Sequence, residues 1–555
     1  MSSIAKSTFQ ISLTFVIASC ISFPAFSKVV VRELKQYTTV EFSIEDVSFE
    51  PIRIEGQDFS KAFIKGVDEK YIGVRYVVGQ PEIPVIRLFV SGPRTIEVFV
   101  GGEIREEGEE DQATLVPVLT SIPKIPSARP SVVRDEEIYH RDGFIPETSY
   151  AIERLGTVRG TEKRLVTLHP LSYNPVTKER IIRQNFIVKF KTPTPETNST
   201  SRLLFIVGEK FANSQTLEQY KRFKEKAGFK IESVVIRAEN KTPEKIRKAV
   251  QDLFRASTVP LKYGIIVGDQ EDVPAYNSKI IHGVTDHYYK AVDTDNYDTD
   301  IGTPDISIGR VSAASEEQLT TMLKKFIRYE EGQFATQDWL KKIAFIATDD
   351  KTHYDIAEET HNYAISNYTL PKNFLGNFPS VNQPGGDQLY AITHKATAQQ
   401  VKDILAEGRV IINYSGHGAT DCWQGPWLCQ NEIEYALHND ALPFVISNAC
   451  ITGRFTTEEV WGETWSRHPR GAIMFLGSMD VTFWTEDDVL ERKIWDGIFK
   501  EKKIRFAEIT DYALTEHWRH FGGAGQSKYY WESYVMFGDP TIKLRLNPSL
   551  PRSAY

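Results

Sequence analysis

Two apolar runs in this chain end in residues that could carry out nucleophilic chemistry. In the first, Val410-Ile411-Ile412-Asn413-Tyr414-Ser415 leads into Gly416-His417-Gly418. The pattern is a strand entering a glycine-flanked turn that presents one imidazole and lets backbone approach closely. In the second, Phe444-Val445-Ile446-Ser447-Asn448-Ala449 ends at Cys450, with Thr452 and Gly453 beyond it. The 33 residues from His417 to Cys450 are enough to connect neighbouring strands. Both side chains would then emerge at one rim of a sheet. A Cys–His pair suits acyl transfer, because the imidazole takes the thiol proton and later serves the leaving amine. The amides of Gly418 and Cys450 are candidate oxyanion donors. Taken singly, a cysteine at a strand end reads as a small buried apolar residue, and a histidine in a Gly-x-Gly turn reads as structural. Their occurrence at successive strand ends favours catalysis.

Cysteine arithmetic points the same way. There are four cysteines in 555 residues, which excludes a disulfide-dense scaffold and a multi-cysteine metal framework. Cys20 lies in a leader. Cys422 and Cys429 stand close together beside the histidine turn, and the spacing allows a local disulfide in an exported chain. Cys450 is the odd thiol. His353, His361, His394, His438, His517 and His520 show no metal-ligand spacing, and His517 and His520 are expected at a helix surface. The run Asp293, Asp295, Asn296, Asp298, Asp300 resembles the opening of a calcium loop but lacks the glycine and closing glutamate of an EF-hand. It reads as a solvated acidic turn, with calcium as the alternative. The chemistry itself requires no cofactor. Trp461, Trp465, Trp484 and Trp495 are expected as core or pocket wall.

The elements that position these residues follow from periodicity. After residue 202, apolar strands at 203–207, 263–267, 343–347, 409–414, 444–447 and 472–476 alternate with helical stretches at 242–254, 315–331, 354–366, 398–407 and 457–468. That grammar predicts a parallel α/β sheet covered on both faces, with functional residues at the carboxyl ends of its strands. Residues 28–191 show instead short alternating strands and frequent turns, an all-β pattern; the acidic stretch 103–111 is expected to be a solvated loop. Between them, 192–201 is a polar Pro/Ser/Thr linker. At the start, Lys6, the apolar run 11–21, Pro24 and Ala25-Phe26-Ser27 form a secretory leader cut after Ser27. A lipoprotein box ending at Cys20 is the alternative. No later apolar run reaches the ~20 residues of a membrane span. With 41% hydrophobic and 25% charged residues the chain can build real cores, and its net charge of −8 excludes a generally basic nucleic-acid binder.

At these motifs the sequence resembles the gingipain-type cysteine peptidases, family C25 of the caspase-like clan. The resemblance covers residues 203–546. It is carried by Tyr263-Gly264-Ile265-Ile266-Val267-Gly268-Asp269, by Asp286-His287-Tyr288-Tyr289 with Pro304-Asp305-Ile306-Ser307-Ile308-Gly309-Arg310, by the histidine and cysteine motifs, and by Phe537-Gly538-Asp539-Pro540-Thr541. The β-rich region resembles the C25 propeptide, with Gly79-Gln80-Pro81-Glu82-Ile83-Pro84 as its G-x-P-x-x-P segment. The resemblance implies Cys450 as nucleophile and His417 as base. It implies an orienting carboxylate from the loop after strand 343–347: Asp350 or Asp349, with Asp355 in reserve. It also implies a pocket for a basic residue, formed near Asp480 and Trp484.

The implied organisation is a leader (1–27), a propeptide-like domain (28–191), the linker, a peptidase domain (202–546) and a short tail (547–555). The tail shows none of the adhesin or sorting domains that secreted gingipains carry. Maturation is expected by cleavage in the linker or just after Arg202. The pro-region is expected to cover the site and place Lys124, Arg129 or Arg134 in the pocket. The expected function is an exported cysteine endopeptidase made as a zymogen, found in the periplasm, at the cell surface or outside the cell. Its partners would be polypeptide substrates and its own propeptide, with no nucleic acid and no membrane span. The alternative is a non-catalytic or transpeptidase-like surface or export component that keeps the fold.

Overall fold

The computed structural model describes residues 29–546 except 35, 93–94, 110–111, 192–199 and 457. The leader, Cys20, most of the linker and the tail therefore lie outside the described residues. The architecture changes where the sequence pattern changes. Before the linker, one antiparallel sheet joins Val29–Glu33, Tyr37–Ser43, Arg180–Lys191 and Leu171–Tyr173, and Ile96–Glu106 also pairs with Arg180–Lys191. A second joins Ile72–Arg75, Ile83–Ser91, Thr161–Leu168 and Tyr150–Val158. Period-2 alternation explains the packing. In Tyr37–Ser43 alternate residues Thr38, Val40 and Phe42 are buried. Val40 and Phe42 join Phe186 and Val188 of the same sheet, and Ile86, Leu88, Val166 and Leu168 of the other, in one core.

The stretch 103–111 departs from its expectation over residues 103–106, because Ile96–Glu106 is one continuous strand. Glu103 and Glu106 stand opposite Arg183 and Arg180 and pair with them at 3.3 and 3.8 Å, so these acids stabilise a ladder instead of solvating a loop. The segment 79–84 has a direct structural task. Gly79 N–H donates to Val118 O, Val118 N–H to Gln80 O, and Glu82 N–H to Val116 O. These bonds hold residues 116–118 and launch the following stretch toward the second half of the molecule.

That half is built on a ten-stranded sheet. Its strands are β1 (Arg202–Gly208), β2 (Lys230–Ile236), β3 (Leu261–Val267), β4 (Ser307–Val311), β5 (Ile343–Ala347), β6 (Asp387–Tyr390), β7 (Ile411–Ser415), β8 (Phe444–Asn448), β9 (Met474–Ser478) and β10 (Tyr534–Gly538). In space the order is 2-1-3-4-10-9-8-7-5-6. Every neighbouring pair is parallel except β9 with β10, so the sheet is two parallel halves running in opposite directions. Both faces are covered, as the unbroken apolar strands require. In β1, Leu203, Phe205 and Val207 join a core with Leu217 and Tyr220 of α1 (Gln215–Lys226) and Phe326 of α3 (Glu316–Glu331). Leu204 and Ile206 face the other way, toward Ile246 and Val250 of α2 (Pro243–Arg255). Local signals set the helix ends: Ser315 caps α3 through the Gln318 amide, and Gly332 closes it at φ 68°.

Five further helices are α4 (Tyr354–Ala364), α5 (Ala398–Ala406), α6 (Trp461–Arg467), α7 (Trp484–Phe499) and α8 (Phe506–Phe521). Several motif residues serve the fold. Asp286 forms a fork with buried Arg310 at 2.6 and 2.8 Å, and the same guanidinium donates to Gly268 O and Val273 O. Asp539 accepts from Thr541 and pairs with buried Lys224 at 2.7 Å. Removing one partner of such a pair strands a buried charge. Asp286→Ala is therefore expected to cost about 3–5 kcal/mol in denaturant unfolding, and Asp286→Asn less.

Arg202, expected with the linker as a place of maturation, is poorly placed for cleavage in this structure. It is the first residue of β1 and fully buried. Its guanidinium donates to Glu232 and to the carbonyls of Leu253, Phe254 and Val259. Cleavage after it would cut into the sheet.

Candidate active site

The carboxyl ends of β5, β7, β8 and β9 reach one rim, and their loops carry Asp350, His417, Cys450 and Asp480 respectively. His417 Nε2 donates to Asp350 Oδ2 at 2.8 Å. The Asp350 carboxylate also accepts from the amides of Thr352 and His353 at 2.7 and 3.1 Å. Burial alone would raise this carboxyl, but those hydrogen bonds outweigh it and leave the group below its ordinary value. Asp349 instead sits against Gly425, and exposed Asp355 accepts from the adjacent Ile356 amide. Of the three carboxylates considered, the structure brings Asp350 to the imidazole.

The other ring nitrogen, Nδ1, lies 2.8 Å from the carbonyl oxygen of Lys124, and Cys450 Sγ lies 3.3 Å from that same oxygen. Imidazole and thiol thus converge on one backbone carbonyl of the β-rich region. Thr482 N–H donates to the sulfur at 3.3 Å. Burial pushes the Cys450 thiol above its ordinary value, and the Thr482 contact opposes this only in part. Gly418 packs so closely on the cysteine loop that a Cβ would lie 2.7 Å from Cys450 O. Only glycine lets the two loops meet this way.

Lys124 follows an isolated antiparallel bridge. Its N–H donates to Thr482 O at 2.8 Å, and Trp484 N–H donates to Ile122 O at 2.9 Å, with Pro123 opposite Phe483 in antiparallel pairing. Past Lys124 the chain turns away: Ile125 N–H bonds back to Pro123 O, and Ala128 O accepts from His353 Nε2 at 2.6 Å. The Lys124 side chain is fully buried. Its ammonium is 2.8 Å from Asp487 Oδ2, donates to Asn448 O at 2.7 Å and Ser415 Oγ at 3.3 Å, and lies 4.8 Å from the Trp484 ring centre. Asp487 Oδ1 accepts from the hydroxyls of Tyr534 and Tyr530 at 2.6 and 2.9 Å. Asp487 stands in the first turn of α7, where free backbone N–H groups favour negative charge.

The carboxylate facing the lysine is therefore Asp487, not Asp480. Asp480 is buried but already committed: Arg454 pairs with it at 2.8 Å, and the His282 amide donates to it at 2.6 Å. Asp487, Ser415 and Asn448 were missed in the sequence. The last two are the final residues of the strands that lead to His417 and Cys450, and that position was the available signal. Of the basic residues considered, Lys124 enters; Arg129 is exposed and Arg134 stacks on Tyr139.

Other expectations resolve as follows. Cys422 and Cys429 are bonded at 2.04 Å, pinning the hairpin that pairs with 417–418. Trp484 walls the pocket, with its ring also against His417. Trp461, Trp465 and Trp495 are core. His517 is not at the surface: it is fully buried, stacks on Tyr530 at 4.4 Å, and burial holds it well below its ordinary value. The acidic run 293–300 is dispersed. Asp295 pairs with Arg255, Asp298 with Lys279, and buried Asp300 accepts from Thr303 and the Thr157 amide. Among the described residues no three His, Cys, Asp or Glu side chains cluster as a metal site, and no helix is long and apolar enough to cross a membrane.

The family description "Peptidase family C25" matches residues 196–545, and the C25 propeptide matches residues 30–222. Lys-gingipain of Porphyromonas gingivalis is 24% identical over 584 residues, covering 92% of this chain and 32% of that protein. Gingipain R2 of the same species is 22% identical over 571 residues, covering 91% of this chain and 72% of that protein. The present chain thus spans about a third of Lys-gingipain's length. The crystal structure of the Arg specific cysteine proteinase gingipain R is similar with a TM-score of 0.53 at 20% identity, covering 64% of this chain and 81% of that one. The complex of P. gingivalis RgpB pro- and mature domains is similar at 0.52 and 21%, covering 62% and 80%.

Proposed function

Because this chain belongs to peptidase family C25 and carries the family's propeptide ahead of its catalytic region, we propose that it is an exported cysteine endopeptidase, made as a zymogen, that cleaves after lysine. One observation carries this reading: His417, Cys450 and Asp487 together hold Lys124 as they would hold the residue before a scissile bond. Residues 28–191 are the inhibitory pro-region and 202–546 the peptidase, with maturation in the intervening linker.

In the reaction, Cys450 Sγ attacks the carbonyl carbon while His417 Nδ1 takes the thiol proton. Asp350 holds the ring by accepting from Nε2 and stabilises the imidazolium that forms. The amides of Gly418 and Cys450 receive the oxyanion. The imidazolium gives its proton to the departing amine, leaving a thioester at Cys450. Water, deprotonated by the same imidazole, then releases the acid product. Thiol, imidazole and backbone supply every step, so no cofactor is invoked.

Latency follows from the Lys124 carbonyl. Its oxygen lies 2.8 Å from Nδ1 and 3.3 Å from Sγ, and so stands where the thiol proton would pass to the imidazole. The turn at Ile125 bends the following peptide bond out of the groove. Specificity follows from the ammonium's surroundings. A lysine offers three donors on a compact charge, and the pocket answers with Asp487, Asn448 O and Ser415 Oγ. A planar arginine fork finds no second carboxylate edge there.

The test is turnover of peptides that differ only in the residue before the cut, by mature enzyme from the full chain. Lysine should exceed arginine, and alanine should be negligible; no cleavage after lysine would refute the reading. Thiol labelling gives an independent check. In the full-length zymogen, burial holds Cys450 above its ordinary value near 9, so less thiolate exists at any given pH. Iodoacetamide labelling should be slow at neutral pH, rise only above about pH 9, and be fast at neutral pH once the pro-region has left. Equal neutral-pH rates before and after maturation would contradict the blocked site.

A further inference from the structure

The stretch that fills the groove contacts the peptidase beyond the lysine, and each contact has a different chemical demand. We propose that residues 121–124, Ser-Ile-Pro-Lys, are the chain's own record of its preferred substrates: a hydrogen-bond donor four residues before the cut, an apolar side chain at the third, proline tolerated at the second, and lysine at the first. This rests on the cysteine-peptidase reading above and names the substrate class for that same site.

Backbone pairing decides the first two positions. Lys124 N–H donates to Thr482 O, so the residue before the cut must carry an N–H. Pro123 and Phe483 oppose each other between that bond and the one from Trp484 N–H to Ile122 O. This is the non-hydrogen-bonded position of an antiparallel pair, where a residue's own N–H points away from its partner strand. Phe483 N–H is directed instead at the Tyr530 hydroxyl, at 3.2 Å. Proline therefore loses nothing there, while the lysine position cannot be N-substituted.

Side chains decide the other two. Ile122 is buried in the apolar core of the second half and lines a cavity with Thr485 and Val489 of α7 and Phe521 of α8, whose other wall, from Lys61 to Thr120, belongs to the pro-region. The core that receives Ile122 favours an apolar side chain at the third position, where a carboxylate would lose its hydration. Ser121 Oγ donates to Glu486 Oε1, whose other oxygen is buried with no hydrogen-bond partner among the described residues. A hydroxyl or a cation at the fourth position satisfies Glu486; a second carboxylate repels it.

The experiment uses mature enzyme from the full chain and fluorogenic amides of Ser-Ile-Pro-Lys. Replacing proline by alanine should change kcat/KM by less than about threefold, since no hydrogen bond is gained or lost. N-methylation of the lysine amide should lower it by about tenfold, the worth of one hydrogen bond. Aspartate for isoleucine should lower it about 10–100-fold. Aspartate for serine should lower it about tenfold, and Glu486→Gln should recover most of that loss. If the N-methyl peptide and both aspartate peptides are cleaved as fast as the parent, the extended preference is wrong while cleavage after lysine stands. If no lysine peptide is cleaved, the cysteine-peptidase reading itself has failed.

Discussion

Replacing Cys450 with alanine is expected to lower peptide hydrolysis to background, a loss of about 10⁴–10⁶ in kcat, while the protein unfolds within about 1 kcal/mol of the parent. The two halves of that expectation come from different facts. Sγ is the atom that converges with His417 on the Lys124 carbonyl, and among the described residues Cys450 is the free thiol, because Cys422 and Cys429 are bonded to each other. Without sulfur, His417 has no proton to take. The structural cost is small because the side chain is small. Its contact with the Thr482 amide is the only backbone donor that the change leaves unpaired. Steady-state turnover of a lysine peptide measures the first half and denaturant unfolding the second. Activity that survives would assign the nucleophile elsewhere. Lost activity in an unfolded protein would be uninformative, so Cys450→Ser, which keeps an acceptor for Thr482 N–H, accompanies it and should also be inactive.

The sequence carried the parts of this site that depend on local pattern. Apolar strands ending in Gly416-His417-Gly418 and in Ala449-Cys450 give both the elements and the reactive side chains, since a buried parallel strand presents its last residues to solvent at a fixed rim. Asp350 could be narrowed only to a short loop, because what selects it over Asp349 is the path of that loop against Gly425, a tertiary contact. Asp487 was hidden for a different reason. It lies on α7, whose Glu486, Asp487, Glu491 and Asp496 are all buried. Buried acids erase the apolar stripe by which a helix is recognised, so neither helix nor pocket floor showed in periodicity. Asp480 was implied by the family resemblance of the segment after β9, yet Arg454 already pairs with it. The burial of Arg202 was likewise unreadable, since its partners Glu232, Leu253 and Phe254 come from elements brought together only by the fold.

Asp487 should matter twice if cleavage follows lysine, because the carboxylate that holds the pro-region's Lys124 would also hold the substrate's lysine. In mature enzyme, Asp487→Asn removes the charge while keeping the shape and the hydroxyl contacts of Tyr530 and Tyr534. The incoming ammonium then retains Asn448 O and Ser415 Oγ but is buried without a counter-charge. Removing one partner of a buried pair costs about 3–5 kcal/mol, so kcat/KM for lysine peptides should fall by about 10²–10³. Peptides with an uncharged residue before the cut should be nearly unaffected, since they never used the charge. In the full-length zymogen the same substitution strands Lys124, whose ammonium is fully buried against Asp487. The docked state should weaken correspondingly, and Cys450 should label faster at neutral pH than in the parent zymogen. Lys124→Ala tests the shared cause from the other side: it should speed labelling of the zymogen while leaving the mature enzyme's lysine preference intact, because Lys124 is then no longer in the pocket. Were Asp487→Asn to lower lysine turnover without loosening the zymogen, latency would rest on the backbone pairing at Thr482 and Trp484 instead of on the charge pair.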